Sequence, residues 1–338
     1  MKAYVLHGVN KLRYDEVEKP ACPKDWAIVK VKAAGICSSD IARVFTKGTY
    51  HFPTIPGHEF AGIVESVGSD TDIKLIGKHV GVFPLIPCRN CEQCKAKHYE
   101  MCAHYDYVGS RRDGGFAEYV AVPVWNLILL PEDLSFKSAA MLEPLSVALH
   151  AIKTANIKGG QSVGVIGTGM IGICAAQWAK GMGASEVVVI GRNEEKRKLV
   201  ESADLNYINQ KTYDSSFSYD VVIEAVGTPS SVDLSINSTT PGGTLVLMGN
   251  PSNDIVLSQN TYWRILRKQL TLKGTWNSFY DNQSPSDWTE VVEALGQHKI
   301  KVEHLISHCF KQEHLQDGLK LMFEHKEPYC KVMTTWNE

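Results

Sequence analysis

Four cysteines fall within fifteen residues: Cys88, Cys91, Cys94 and Cys102. Two-residue gaps let neighbouring thiolates converge on one point, and the fourth arrives from a short loop. That is the ligand arrangement of a closed tetrahedral zinc site, with a disulfide or an iron–sulfur cluster as the alternative. A closed site organises a loop and does no chemistry, so a reactive centre has to be sought elsewhere. Candidates for an open metal site are Cys37 in Gly35-Ile36-Cys37-Ser38-Ser39-Asp40, the adjacent pair His58-Glu59, and Glu143 in Leu142-Glu143-Pro144. A cysteine, a histidine and a carboxylate can bind one zinc and leave a position open for water or substrate. On spacing alone the plainer reading is favoured: a core cysteine, a buried histidine and an acid at a helix N-terminus.

A third pattern points to a cofactor. Gly167-Thr168-Gly169-Met170-Ile171-Gly172 follows a predicted strand and opens a predicted helix. In that setting the first glycine makes a tight turn, the second admits a pyrophosphate and the third lets helix and strand pack closely. A plain glycine-rich turn is the alternative. An NAD site carries an Asp or Glu about 20 residues further on, to bind the ribose hydroxyls. Here that place reads Ile190-Gly191-Arg192-Asn193, with Lys196 and Arg197 one turn on. A guanidinium can grip a 2′-phosphate that a carboxylate would repel. NADP(H) is therefore favoured over NAD(H), against a solvated basic turn offset by Glu194 and Glu195.

These groups must be positioned by elements that the pattern also predicts. Residues 1–145 hold short β-like segments broken by Gly and Pro, suggesting a barrel-like β domain. Residues 146–275 alternate Val/Ile-rich strands with helices, the mark of a parallel sheet covered on both faces. Residues 276–338 are mixed. The chain has 338 residues, 44% hydrophobic and 21% charged, with a net charge of −2. That balance argues against a nucleic-acid partner. No apolar run is long enough to span a bilayer, and the N-terminus lacks a signal-peptide pattern. Nine cysteines without a disulfide framework suit a reducing cytoplasm.

Gly57-His58-Glu59 with Gly62 and Gly68, the four-cysteine lobe and the GxGxxG together resemble the zinc-dependent medium-chain dehydrogenase/reductase family. The resemblance implies an α/β protein: a GroES-like β-rich catalytic domain over 1–145, a zinc lobe at about 85–105, a Rossmann doubly wound parallel sheet over 146–275, and a return to the catalytic domain over 276–338. It implies two zinc ions per chain. The catalytic ion would be held by Cys37, His58 and Glu143, with Glu59 as a carboxylate able to move onto the metal; the structural ion would be held by Cys88, Cys91, Cys94 and Cys102. It gives Ser39 the relay of the alcohol's proton, while a hydride passes to the nicotinamide. Animal alcohol dehydrogenases often end that relay at a histidine five residues after the first cysteine ligand; here that residue is Ala42.

Within the family the stretches Tyr105–Tyr119 and Ile265–Asn277 resemble the branch acting on galactitol 1-phosphate. Sorbitol dehydrogenases are similar overall but usually carry an Arg-Tyr pair where Asn277-Ser278 stands. The expected substrate is a small polyol phosphate, oxidised to a ketose phosphate. Arg43, Lys47, Arg111 and Arg112 are candidates to meet the phosphate. An unphosphorylated polyol such as sorbitol is the alternative, and a non-catalytic NADPH-binding relative is a reading of another class. The resemblance also suggests a homodimer or homotetramer.

Overall fold

The computed structural model describes residues 1–214 and 217–336. The chain divides into two compact units. The first comprises Met1–Glu143, Phe279–His298 and Leu305–Glu338; the second comprises Pro144–Ser278 and Lys299–His304. The expected boundaries lay at 145/146 and 275/276. The observed changes fall at 143/144 and 278/279, and residues 299–304 lie with the second unit. The last two residues of the expected 276–338 segment lie outside the described residues.

The first unit starts with a hairpin, β1 (Lys2–Leu6) and β2 (Leu12–Glu16). Its spine is β3 (Trp26–Ile36), an eleven-residue strand. Then come β4 (Glu59–Val67), β5 (His79–Val82), β6 (Leu85–Ile86), β7 (Asp106–Tyr107), β8 (Tyr119–Pro123) and β9 (Leu127–Leu129). The second unit supplies β10 (Ser162–Ile166), β11 (Glu186–Gly191), β12 (Asn206–Asn209), β13 (Tyr219–Glu224), β14 (Thr239–Leu247) and β15 (Thr271–Gly274). Strands β16 (Ile306–Lys311) and β17 (Lys331–Thr335) return to the first.

In the first unit the sheet order is β16-β17-β3-β4-β5-β9, with β8 also on β3. Every side chain of Val29, Val31, Ile36, Phe60, Val64, Val82, Phe116 and Trp336 is buried in one core. Each such aliphatic or aromatic burial contributes about 1.5–3 kcal/mol. The antiparallel register matters most for function. Gly35 lies opposite Glu59, and Ile36 opposite Val332. The end of β3, the start of β4 and the start of β17 therefore meet at one edge. Cys37, His58, Glu59 and Lys331 all sit at those strand ends.

In the second unit six parallel strands run in the order β12-β11-β10-β13-β14-β15. Their Val/Ile runs are buried because helices cover both faces of such a sheet. This is the doubly wound order, in which ligands bind beyond the carboxyl ends of the strands. The expected α/β class, a β-rich unit plus a Rossmann sheet, is what the structure shows. Among the described residues no helix is long and apolar enough to cross a membrane.

Candidate active site and cofactor site

Cys37 follows β3 and caps the short helix Ser38–Ala42. His58 precedes β4 and Glu59 opens it. One ligand atom from each of Cys37, His58 and Glu59 lies within 4.8 Å of the others. Glu143 stands beside this set rather than in it. Its carboxylate accepts a hydrogen bond from Tyr107 Oη at 3.4 Å, and the Tyr107 ring lies 5.8 Å from that of His58. Burial, with the charge of Glu59 adding and His58 opposing, pushes the Glu143 carboxyl up to about 7.

Three polar groups around this set, two of them charged, were not singled out as site residues on sequence grounds. Asp40 is fully buried. Its Oδ2 accepts from the Cys37 amide at 3.0 Å; its Oδ1 accepts from Arg43 Nη1 at 3.0 Å and lies 3.3 Å from His58 Nδ1. Burial alone would raise this carboxyl, but His58 and Arg43 outweigh it and hold the pKa below the usual range. Burial likewise disfavours the imidazolium of His58, and the facing Asp40 more than offsets it, so that pKa stands well above its ordinary value. Lys331 is buried, paired with Glu59 Oε2, and donates to the Ile36 carbonyl at 3.2 Å. Gly35 makes room for that pair: a Cβ there would lie 2.7 Å from Lys331 Cε. The third is Tyr107, whose hydroxyl is pushed well above its ordinary pKa by burial and by Glu143. Asp40, three residues after Cys37 in the helix-capping pattern, carried a signal that sequence reading could have used. Lys331 lies 272 residues from Glu59 and carried none.

Ser39 is half-buried, and its Oγ accepts from Arg43 Nη1 at 2.8 Å. Of the other cations expected near a phosphate, Arg111 is stacked between Tyr50 and Tyr105, 4.3 and 4.4 Å from their ring centres. Arg112 pairs with Asp106 and lies over Trp26. Lys47 is exposed and carries no ion pair among the described residues.

The four cysteines also converge, with ligand atoms within 4.8 Å of one another. Cys88 and Cys94 sulfurs are 3.9 Å apart, as are those of Cys91 and Cys102. A disulfide needs about 2.05 Å. Four sulfurs about 2.3 Å from a tetrahedral ion stand about 3.8 Å apart, so the geometry fits zinc. Hydrogen bonds from Cys94 and Ala103 lower Cys91 to about 6, while burial raises Cys94 to about 12. Four thiolates ionise together only against a cation. The mixed thiolate, imidazole and carboxylate set at Cys37, His58 and Glu59 suits the same metal.

In the second unit, helix Met170–Gly181 starts at Gly169 with no side chain capping it. A Cβ on Gly169 would meet nothing within 4 Å, whereas one on Gly167 would crowd Val226 at 2.9 Å and one on Gly172 would collide with the Gly167 carbonyl. The outer glycines are required by packing and the middle one opens space at a helix N-terminus, which suits a dinucleotide pyrophosphate. Met170 is buried and Ile171 half-buried in that first turn. Gly191 ends β11 against Thr168, so its lack of a side chain serves packing. Arg192 is exposed immediately after it, with no ion pair among the described residues. Arg197 is committed elsewhere: it pairs with Glu194 and Glu201 and lies 4.6 Å over the Tyr207 ring. Glu224, unnoticed in the sequence, is 1% exposed and accepts from the amides of Val226 and Gly227 at 2.8 and 2.9 Å, shaping the loop after β13.

Residues 23–132 match the family described as alcohol dehydrogenase GroES-like domain, and residues 171–297 match zinc-binding dehydrogenase. The chain is 35% identical over 300 residues to galactitol 1-phosphate 5-dehydrogenase of Escherichia coli (strain K12), covering 84% of this chain and 85% of that one. It is 29% identical over 350 residues to sorbitol dehydrogenase of Bacillus subtilis (strain 168), covering 98% and 96%. The crystal structure of galactitol-1-phosphate dehydrogenase from Escherichia coli superposes with a TM-score of 0.92 at 33% identity, over 99% and 100% of the two chains. Two further structures, each with a TM-score of 0.89 at 28% identity, differ in cofactor. A zinc-binding dehydrogenase from Sinorhizobium meliloti 1021 is bound to NADP (99% and 98% covered). An alcohol dehydrogenase from Escherichia coli CFT073 is complexed with NADH (99% and 99% covered). The chain belongs to the zinc-dependent medium-chain dehydrogenase/reductase family, among its NAD(P)-linked alcohol and polyol dehydrogenases.

Proposed function

We propose that this enzyme oxidises a secondary alcohol of a polyol phosphate, of the galactitol 1-phosphate type, to a ketose phosphate with NADP(H) as cofactor. The observation that carries the proposal is the Cys37–His58–Glu59 donor set with the Ser39 hydroxyl two residues from Cys37. Zinc held there supplies Lewis acidity at the substrate oxygen. Cys37, His58 and Glu59 would hold the ion, and Glu143, beside them and hydrogen-bonded by Tyr107, would be a second carboxylate for the site. Asp40, facing His58 Nδ1, orients the ring so that Nε2 is the nitrogen left to ligate. Lys331 neutralises Glu59 when the carboxylate is off the ion. Ser39 takes the proton of the substrate hydroxyl. Cys88, Cys91, Cys94 and Cys102 hold a second, structural zinc.

The substrate reading is supported by the 35% identity to a polyol-phosphate dehydrogenase and by Lys47, the cation left unengaged for a dianion. The cofactor reading is supported by exposed Arg192 where an NAD site carries an acid. The engagement of Arg111 and Arg112 favours a second reading, an unphosphorylated polyol. We also assign a homo-oligomer, formed through the sheet edge at β15. Leu272 on that strand, with Tyr262, Trp263 and Leu266 on the preceding helix, leaves exposed apolar surface beside an unpaired edge. A panel of polyols and polyol phosphates, each with NADP and NAD, tests both choices through the absorbance of reduced nicotinamide. Equal kcat/KM with and without the phosphate overturns the substrate assignment.

A further inference from the structure

We propose that Arg43 is a positioning residue that fixes the Ser39 hydroxyl so that protons pass between substrate and solvent along one defined path, and that it is not the phosphate anchor. The proposal rests on the reading of Ser39 as the group that takes the substrate's proton.

The geometry is specific. Ser39 and Arg43 are four residues apart, which places them on one face of the turn. Arg43 Nη1 donates to Ser39 Oγ at 2.8 Å and to Asp40 Oδ1 at 3.0 Å. The guanidinium side chain is 20% exposed, against 0% for Asp40. It is thus braced by a buried carboxylate that also contacts the Cys37 amide and faces His58. One residue links the ligand arm to the relay hydroxyl.

The valences then dictate direction. Arginine has donors only, so the contact is Arg43 donating and Ser39 accepting. A serine hydroxyl has one hydrogen and two lone pairs. With one lone pair filled by Arg43, the other takes the proton of the substrate hydroxyl. Ser39's own hydrogen points to a third group and leaves along that bond, to a water or a cofactor ribose hydroxyl. The balance is closed: the substrate loses a proton through Ser39 and a hydride to oxidised nicotinamide. Arg43 cannot accept the proton at any working pH, and Ala42 has no group to carry it. A fixed cation beside Oγ favours the order in which Ser39's own hydrogen moves ahead of the arriving proton, since Oγ then carries partial negative charge.

The test compares Arg43→Met, Arg43→Lys, Ser39→Ala and the double variant Ser39→Ala/Arg43→Met, on whichever alcohol the wild type turns over best. Failure of the polyol-phosphate reading would show in the wild-type panel and leaves this comparison intact. A charged hydrogen bond is worth about 10- to 100-fold. Arg43→Met is expected to lower kcat by about that factor, with KM changed less than about threefold, for phosphorylated and unphosphorylated substrates alike. In the Ser39→Ala background the same change is expected to add less than about threefold. A further variant, Arg43→Ala, leaves space for a free guanidinium ion, which should partly restore its kcat. Zinc content should stay at the wild-type value, the melting temperature should fall by no more than a few degrees because Asp40 keeps His58 as a partner, and a crystal structure of Arg43→Met should show Ser39 in more than one χ1 rotamer. A rise in KM confined to phosphorylated substrates, or full additivity with Ser39→Ala, overturns the proposal. Should Arg43→Met fail to fold, Arg43→Lys decides: it retains a donor and is expected to keep kcat within about tenfold, and a loss equal to that of Ser39→Ala overturns the proposal.

Discussion

The four-cysteine lobe and the Cys37–His58–Glu59 set each bring their ligand atoms within 4.8 Å of one another, yet they are built in opposite ways. The lobe draws its donors from one short stretch, and each donor is a sulfur that needs only its neighbours. The other set draws on two distant strand ends, those of β3 and β4, and is wrapped in buried polar partners: Asp40 against His58 and Arg43, Lys331 from β17 against Glu59, and the Tyr107 hydroxyl against Glu143. A site that only holds an ion can be local and uniform. A site that must also orient ligands, exchange carboxylates and move protons needs partners that a short loop does not contain. The cost of that arrangement is electrostatic: removing one partner of a buried pair leaves an uncompensated charge.

The contrast can be broken by experiment. The largest effect expected is on turnover. Cys37→Ser should lower kcat by about 10⁴-fold or more, since loss of Lewis acidity forfeits several kcal/mol. Its melting temperature should stay within a few degrees, and a large thermal shift would make this site structural as well. Next, Lys331→Met should destabilise the zinc-depleted protein by about 3–5 kcal/mol by stranding the Glu59 carboxylate. The zinc-loaded protein should lose less, because the ion replaces the ammonium charge. Melting curves with and without chelator measure the difference, and equal losses would separate Glu59 from the metal. Cys94→Ser should lower the melting temperature by about 5–10 °C, with kcat per folded molecule nearly unchanged. A selective loss of kcat there would erase the division of labour between the sites. Smallest, Arg192→Asp should move the NADP-to-NAD ratio of kcat/KM about tenfold towards NAD. An unmoved ratio would take the 2′-phosphate from Arg192.

What could be read from the chain follows the same division. The cysteine spacing and the GxGxxG are local, because the backbone that joins their residues also sets their geometry. The parallel Val/Ile strands were legible because burial on both faces leaves its mark on composition. Arg192 and Arg197 looked alike in sequence. Only the structure separates them, since Glu194 and Glu201 lie one turn from Arg197 and leave Arg192 exposed. Arg111 and Arg112 read as free cations until the stacking against Tyr50, Tyr105 and Trp26 was visible.

By itself the sequence determined the α/β class, the four-cysteine lobe and the dinucleotide turn, because each is written in periodicity or in short spacing, while the dehydrogenase family and the open metal site rested on the resemblance of its motifs. The tertiary structure alone decided that Glu59 stands in the donor set with Glu143 beside it, that Lys331 faces Glu59, and that Arg43 holds Ser39 rather than waiting in solvent. The Glu59–Lys331 pairing depends on the antiparallel register of β3, β4 and β17 and on the desolvation of the charges it brings together, which no local stretch of the chain encodes, whereas the Arg43–Ser39 contact is local but its choice of partner over solvent is visible only in the fold.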